Sequence, residues 1–217
     1  MQKTGDGASI VLMGSFNPGI FHPAWFEKFN LLPTTETADA QVEMISNDVA
    51  LFTMAWVRME ILGERFVAKT ADESKYGPLR DLVVGTFRIL EHTPTYQLGM
   101  NRELQFQVPT EETWHKIGHQ LAPKEHWLKC VKTPGMKSLL MESARDDERP
   151  GVFNFTVRPV LHDPVKQRVV HISVNDHIEL GKESTSLDAC KIIDEDWEKS
   201  MARAISIAER LITDTAR

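Results

Sequence analysis

The last thirty or so residues constrain the fold more than any other stretch. From Leu187 to about Thr215, Ile193, Trp197, Met201, Ile205, Ala208 and Ile212 recur at three- and four-residue steps, which places them on one stripe of an α-helix. No Gly or Pro interrupts the run. Ser184, Thr185 and Ser186 offer capping oxygens just before it, Asp188 falls in the first turn, and Arg210 and Arg217 lie near the end, in agreement with the helix dipole. A helix of roughly 28 residues is about 42 Å long. It can cross a whole sheet, so the rest of the chain is expected to supply one.

The preceding residues read in that sense. Ile10 to Met13 forms a short apolar strand ended by Gly14 and Asn17-Pro18, after a polar, flexible tail over residues 1–9. Trp25, Phe26, Phe29 and Leu32 have helical spacing and stop before Pro33. A Thr-rich connector leads to strands over Val42–Ser46, Val49–Leu62 and Arg65–Thr70, the middle one apolar on both faces. Leu79, Leu82, Val83, Phe87 and Leu90 then mark a second helix.

The order starts again at Tyr96. A strand over Tyr96–Val108 precedes a helix capped by Thr110, with Glu111 and Glu112 in its first turn and Trp114, Ile117 and Leu121 on its buried side. Trp127–Val131 and Met136–Ala144 read as strands, and Phe153–Val157 and Val170–Val174 as a hairpin around the His162-Asp163-Pro164 turn. Leu12-Met13-Gly14-Ser15-Phe16-Asn17 matches Gln97-Leu98-Gly99-Met100-Asn101, and Trp56-Val57-Arg58 matches Thr156-Val157-Arg158. The expected fold class is therefore α+β, two tandem units over residues 10–94 and 95–217. Each has the order strand, helix, antiparallel strands, helix, and together they form one curved antiparallel sheet with the long helices on one face.

That order resembles the two-repeat fold of the TATA-box-binding protein, without any of its DNA-contacting motifs. Tyr96-Gln97-Leu98-Gly99-Met100-Asn101-Arg102, followed by a capped helix, a meander and a terminal helix, resembles a sporadically distributed bacterial family of uncharacterised proteins. The resemblance implies a bacterial or phage setting and carries no catalytic residues.

Composition bounds the function. The 217 residues carry a formal charge of -6, which disfavours nucleic acid and anionic membranes as partners. No apolar run approaches the roughly 18 residues of a membrane span, and the start does not read as a signal peptide. Cys130 and Cys190 are far apart and are read as reduced thiols of a cytoplasmic protein.

Several motifs invite chemistry. Gly14-Ser15-Phe16-Asn17-Pro18 looks like the opening of adenylyl-transfer nucleotidyltransferases, whose turn leads to a His-x-Gly-His phosphate site. Here His22 is four residues after Pro18, and Trp25 stands where the second His is expected. Ser184-Thr185-Ser186 superficially resembles that family's late phosphate loop. His115 and His119 are one helical turn apart, without a completing acidic ligand. Asp194-Glu195-Asp196 with Glu198 reads as a solvated helix face, and Asp146-Asp147 as loop acids with no identifiable partner. Trp25, Trp56, Trp114 and Trp197 sit at apolar positions and are assigned to the core.

Trp127 differs, because its neighbours Lys124, His126 and Lys129 are polar. These four residues are the candidate binding group, and no catalytic residue, metal ligand or cofactor is assigned. The functional expectation is a non-enzymatic interaction module with a protein partner, an accessory subunit of a bacterial or phage-related system. A nucleotide-binding enzyme using the Gly14–Pro18 turn and a nucleic-acid binder are the alternatives. Self-association into a homodimer through an open sheet edge or the long helix is compatible with the pattern.

Overall fold

The computed structural model describes residues 1–160 and 168–216. Among these, nine strands form one antiparallel sheet. Its centre is a pair of 13-residue strands, β1 (Gln2–Gly14) and β6 (Thr95–Gln107), joined along their length. Outward from β1 run β5 (Arg65–Thr70), β4 (Val57–Leu62), β3 (Val49–Met54) and β2 (Gln41–Ile45); outward from β6 run β9 (Val169–Glu179), β8 (Gly151–Pro159) and β7 (Leu139–Ala144). The helices are α1 (Pro23–Lys28), α2 (Thr34–Thr37), α3 (Tyr76–Ile89), α4 (Glu111–Leu121) and α5 (Ser186–Ala216).

Strand alternation decides where the core lies. Leu12 pairs with Leu98 and Ile10 with Met100 across the centre, all four buried on the face that receives the helices. On that face α5 brings Ile193, Trp197 and Met201 to one cluster with Phe66, Leu79 and Phe87. Further along, Ala204, Ala208 and Ile212 join Leu104, Phe106, Val157 and Ile172. The helix spans both clusters, and each fully buried Ile, Leu, Phe or Met side chain contributes about 1.5–3 kcal/mol. Ser186 fixes its start by donating from Oγ to the Leu90 carbonyl at 2.7 Å, at the end of α3.

Four sequence expectations change. Gln2 to Ser9, expected to be a flexible tail, belong to β1; their polar residues alternate with inward ones because only one sheet face is covered. Val49–Leu62 is a hairpin, not one strand: Ala55-Trp56 makes the turn, with Ala55 at φ 42°. The turn shifts the alternation, so Phe52, Met54, Val57 and Met59 all face the core. Trp127–Val131 is not a strand but contains a single 3-10 turn, Trp127–Lys129. Asp147 is not partnerless, since it accepts from Arg145 Nη2 at 2.7 Å. The His162-Asp163-Pro164 turn lies outside the described residues.

The acidic run of α5 does more than face solvent. Asp194 accepts from Arg88 of α3 at 2.6 Å, Glu198 from Arg80 at 3.2 Å, and Asp196 and Glu195 from Arg149 in the loop before β8. The carboxylates thus tie α5 to its neighbours at the rim of the core.

Candidate functional site

Three features of the surface bear on function, and the first is the segment between α4 and β7. Thr110 caps α4 by accepting from the Thr113 N–H at 3.1 Å. The helix ends at Leu121, and the chain then runs without long regular structure to β7. Within it Trp127 is 61% exposed and Leu128 59%, with Val131 also outward. Residues 122–138 hold Lys124, Lys129, Lys132 and Lys137 against Glu125 alone, a local excess of cations on an acidic chain. Apolar side chains in water beside lysines that have no ion-pair partner among the described residues suit a surface that brings both apolar and acidic groups.

The four expected binding residues thus share one short segment. Trp127 and Lys129 lie in its 3-10 turn, His126 immediately precedes that turn, and Lys124, half-buried, lines a cavity beside α4. Trp197 is fully buried, as its position in the stripe implied, whereas Trp25, Trp56 and Trp114 are half-buried. Trp56 donates from Nε1 to Glu36 at 2.8 Å, a polar anchor with no sequence signal.

The second feature is the sheet face away from the helices. Both hydrophobic clusters of the described residues lie on the opposite, helix-bearing face. The registers place one row straight across all nine strands: Gln41, Thr53, Arg58, Lys69, Ser9, Asn101, Asn175, Asn154 and Glu142. Every member is polar. At the centre Asn175 Nδ2 donates to Asn101 Oδ1 at 2.5 Å and Asn101 Nδ2 to Ser9 Oγ at 3.1 Å, while Asn175 Oδ1 is buried without a partner among the described residues. The charges of this face are balanced: Arg58 bonds Glu43 and Glu60, Lys69 bonds Glu60, and His171 faces Glu103 at 3.6 Å.

The third feature is a negative one for nucleotide chemistry. In the Gly14–Pro18 turn, the Gly14 N–H donates to Glu64 O, that of Ser15 to Pro94 O and that of Phe16 to Gly63 O, at 2.8 to 3.0 Å. These donors are bonded to backbone and do not point to a phosphate. Asn17 Oδ1 accepts from the Gly19 N–H, and His22 Nδ1 from the Ala24 N–H, as local caps. At the start of α5 the Thr185 N–H donates to Asp188 Oδ2 and the Ser186 N–H to Thr93 O, so this turn is a cap rather than a phosphate loop.

His115 reaches Glu111 at 3.5 Å and packs edge-on to Trp114. Among the described residues no group of three or more His, Cys, Asp or Glu is arranged to hold a metal. Cys130 is exposed; Cys190 is buried, and that burial pushes its thiol up to about 11. No described helix is long and apolar enough to cross a membrane. In comparisons with known proteins, no family model matches the chain and no curated relative is found.

Proposed function

We propose that this chain is a non-enzymatic, intracellular protein-interaction module, an accessory subunit of a bacterial or phage-related system. The observation that carries the reading is the exposed Trp127-Leu128 pair set among Lys124, Lys129 and Lys132. Trp is among the side chains enriched at interface anchors, and the lysines select a partner with acidic flanks. The bonded backbone donors of the Gly14–Pro18 turn count against nucleotide transfer. The uncovered, charge-balanced sheet face lacks the cationic excess that phosphate backbones require.

The same reading takes the fold as two tandem units, the expected first one over residues 10–94 now extended back to Gln2 by β1 and the second over residues 95–217, fused into one curved sheet. Its support is the strand order. Each unit opens with a long strand, passes through a short helix and a meander, and ends in a longer helix, and the two opening strands pair at the centre.

Affinity capture from a lysate of the source organism, after nuclease and at high salt, tests the proposal. Wild-type protein should retain a stoichiometric protein partner, and Trp127→Ala should weaken it by about thirtyfold, the ~2 kcal/mol of an anchor residue. A partner held equally by Trp127→Ala, or material lost on nuclease treatment, would overturn it.

A further inference from the structure

Beside α4 the molecule holds a cavity of about 400 Å³, inside the range of roughly 300–1,000 Å³ occupied by small-molecule sites. Its walls are apolar, formed by Trp114 and Ile117 of α4, Met136 of the following loop and Val170 of β9. Among the described residues, the ionisable groups lining it are Lys124, Lys137 and His115, and no carboxylate does. His115 has Glu111 beside it, but neither lysine has an ion-pair partner among the described residues. An apolar chamber with two unopposed ammonium groups selects for a ligand with an apolar body and one anionic end.

Gly118 gives a second, independent indication. It occupies the interior of α4, where glycine is among the poorest helix formers, and it lines the cavity. A Cβ built on it meets nothing within 4 Å. No steric conflict and no unusual backbone angle requires glycine there, and any larger side chain would fill the space the cavity keeps open.

We propose that this cavity binds a medium-chain carboxylate, its hydrocarbon against Trp114, Ile117 and Met136 and its carboxylate held by Lys124 and Lys137. At about 30 Å³ per water, the cavity equals about a dozen water volumes, room for a chain of about eight carbons. The site goes beyond the protein-docking reading and does not depend on it.

Isothermal titration calorimetry of the full chain at neutral pH, with octanoate, hexanoate and octanol, provides the test. Octanoate should bind one per chain. Hexanoate should bind about tenfold more weakly, because each buried methylene is worth two- to fourfold, and octanol should lose at least tenfold for want of the charge. Gly118→Leu should abolish octanoate binding with the circular dichroism spectrum unchanged. The surface double variant Lys124→Gln/Lys137→Gln should reduce octanoate to the affinity of octanol. No saturable octanoate binding, equal affinity for octanol, or binding undiminished in either variant would overturn the assignment. Failure here leaves the protein-docking reading untouched, because no protein partner is present in the titration.

Discussion

Asp6 and Arg102 meet across the two central strands through paired hydrogen bonds, Nε to Oδ1 at 2.9 Å and Nη2 to Oδ2 at 2.7 Å, with side chains only 7% and 6% exposed. The third arm of the guanidinium, Nη1, donates to the Met201 carbonyl of α5 at 2.8 Å, and the Tyr76 hydroxyl of α3 donates to Asp6 at 2.6 Å. One ion pair therefore fastens both long helices to both central strands.

An exposed pair of this kind is worth about 0–1 kcal/mol; a buried one behaves differently. Removing a single partner strands a charge out of water and typically costs ~3–5 kcal/mol, whereas replacing both by apolar groups is often near neutral. Arg102→Met leaves Asp6 with Lys3 Nζ and the Tyr76 hydroxyl and should lower unfolding free energy in urea by about 2–3 kcal/mol, and adding Asp6→Leu should restore part of it. A loss below about 1 kcal/mol would mean the pair acts like a surface bridge.

Acid should unfold the protein through the carboxylates held by arginine. Burial alone would raise Asp6, but hydrogen bonds from Arg102, Lys3 and Tyr76 outweigh it and hold the carboxyl below its ordinary value. The Arg145 hydrogen bonds hold Asp147 at about 2. A carboxyl depressed in the folded state stabilises it above the unfolded pKa of about 3.9, and that contribution disappears as pH falls through the folded value. Urea midpoints should therefore be level toward neutrality and fall between about pH 4 and pH 2, with a shallower fall in Asp147→Asn. A decline already complete at about pH 5 would assign the acid limb to groups other than these carboxylates.

The polar row on the open sheet face makes an opposite prediction. Asn101 and Asn175 bond each other while Asn175 Oδ1 stays buried and unpartnered among the described residues. A buried acceptor without a partner carries a desolvation cost of about 1–3 kcal/mol. Because Asn101 Nδ2 also donates to Ser9 Oγ, replacing all three, as Ser9→Ala/Asn101→Val/Asn175→Val, should leave stability unchanged or raise it by up to about 1 kcal/mol, since the bonded groups are then removed together. A fall of more than about 2 kcal/mol on thermal or urea unfolding would show the amide ladder to be a structural requirement of the sheet.

What the sequence disclosed follows from the range of the interactions. The stripe of α5 is local, and Ile193, Trp197, Met201, Ala208 and Ile212 are all buried; only Ile205 sits at the margin, its place taken by Ala204. Trp127 stood out for the same reason, since its polar neighbours are adjacent in sequence. The Ala55-Trp56 turn was hidden because Ala55 adopts a positive φ without the Gly or Asn that normally signals one. The row containing Ser9, Asn101 and Asn175 was illegible for a different reason. Its hydrogen bonds join residues 92 and 74 positions apart, and only the strand register brings them together. The cavity beside α4 likewise depends on Met136 and Val170 converging on Ile117.

Two glycines should respond to alanine in opposite directions. A Cβ on Gly14 would stand 2.2 Å from the Pro94 carbonyl oxygen and 3.2 Å from Thr95 Cα, both backbone atoms that cannot swing aside as a side chain would. The neighbouring Ser15 N–H donates to that same Pro94 oxygen at 2.9 Å, so relieving the clash also strains this hydrogen bond at the end of the central strand pair. Gly14→Ala should destabilise by about 1–3 kcal/mol, the usual cost of forcing atoms into a packed site. Gly118→Ala, facing open space inside α4, should stabilise by about 0.5–1 kcal/mol, because alanine loses less backbone entropy in a helix. Urea unfolding of the two variants beside wild type reads both signs at once. A tolerated Gly14→Ala would mean that β1 and the start of β6 do not approach as closely as the Gly14–Pro94 contact requires.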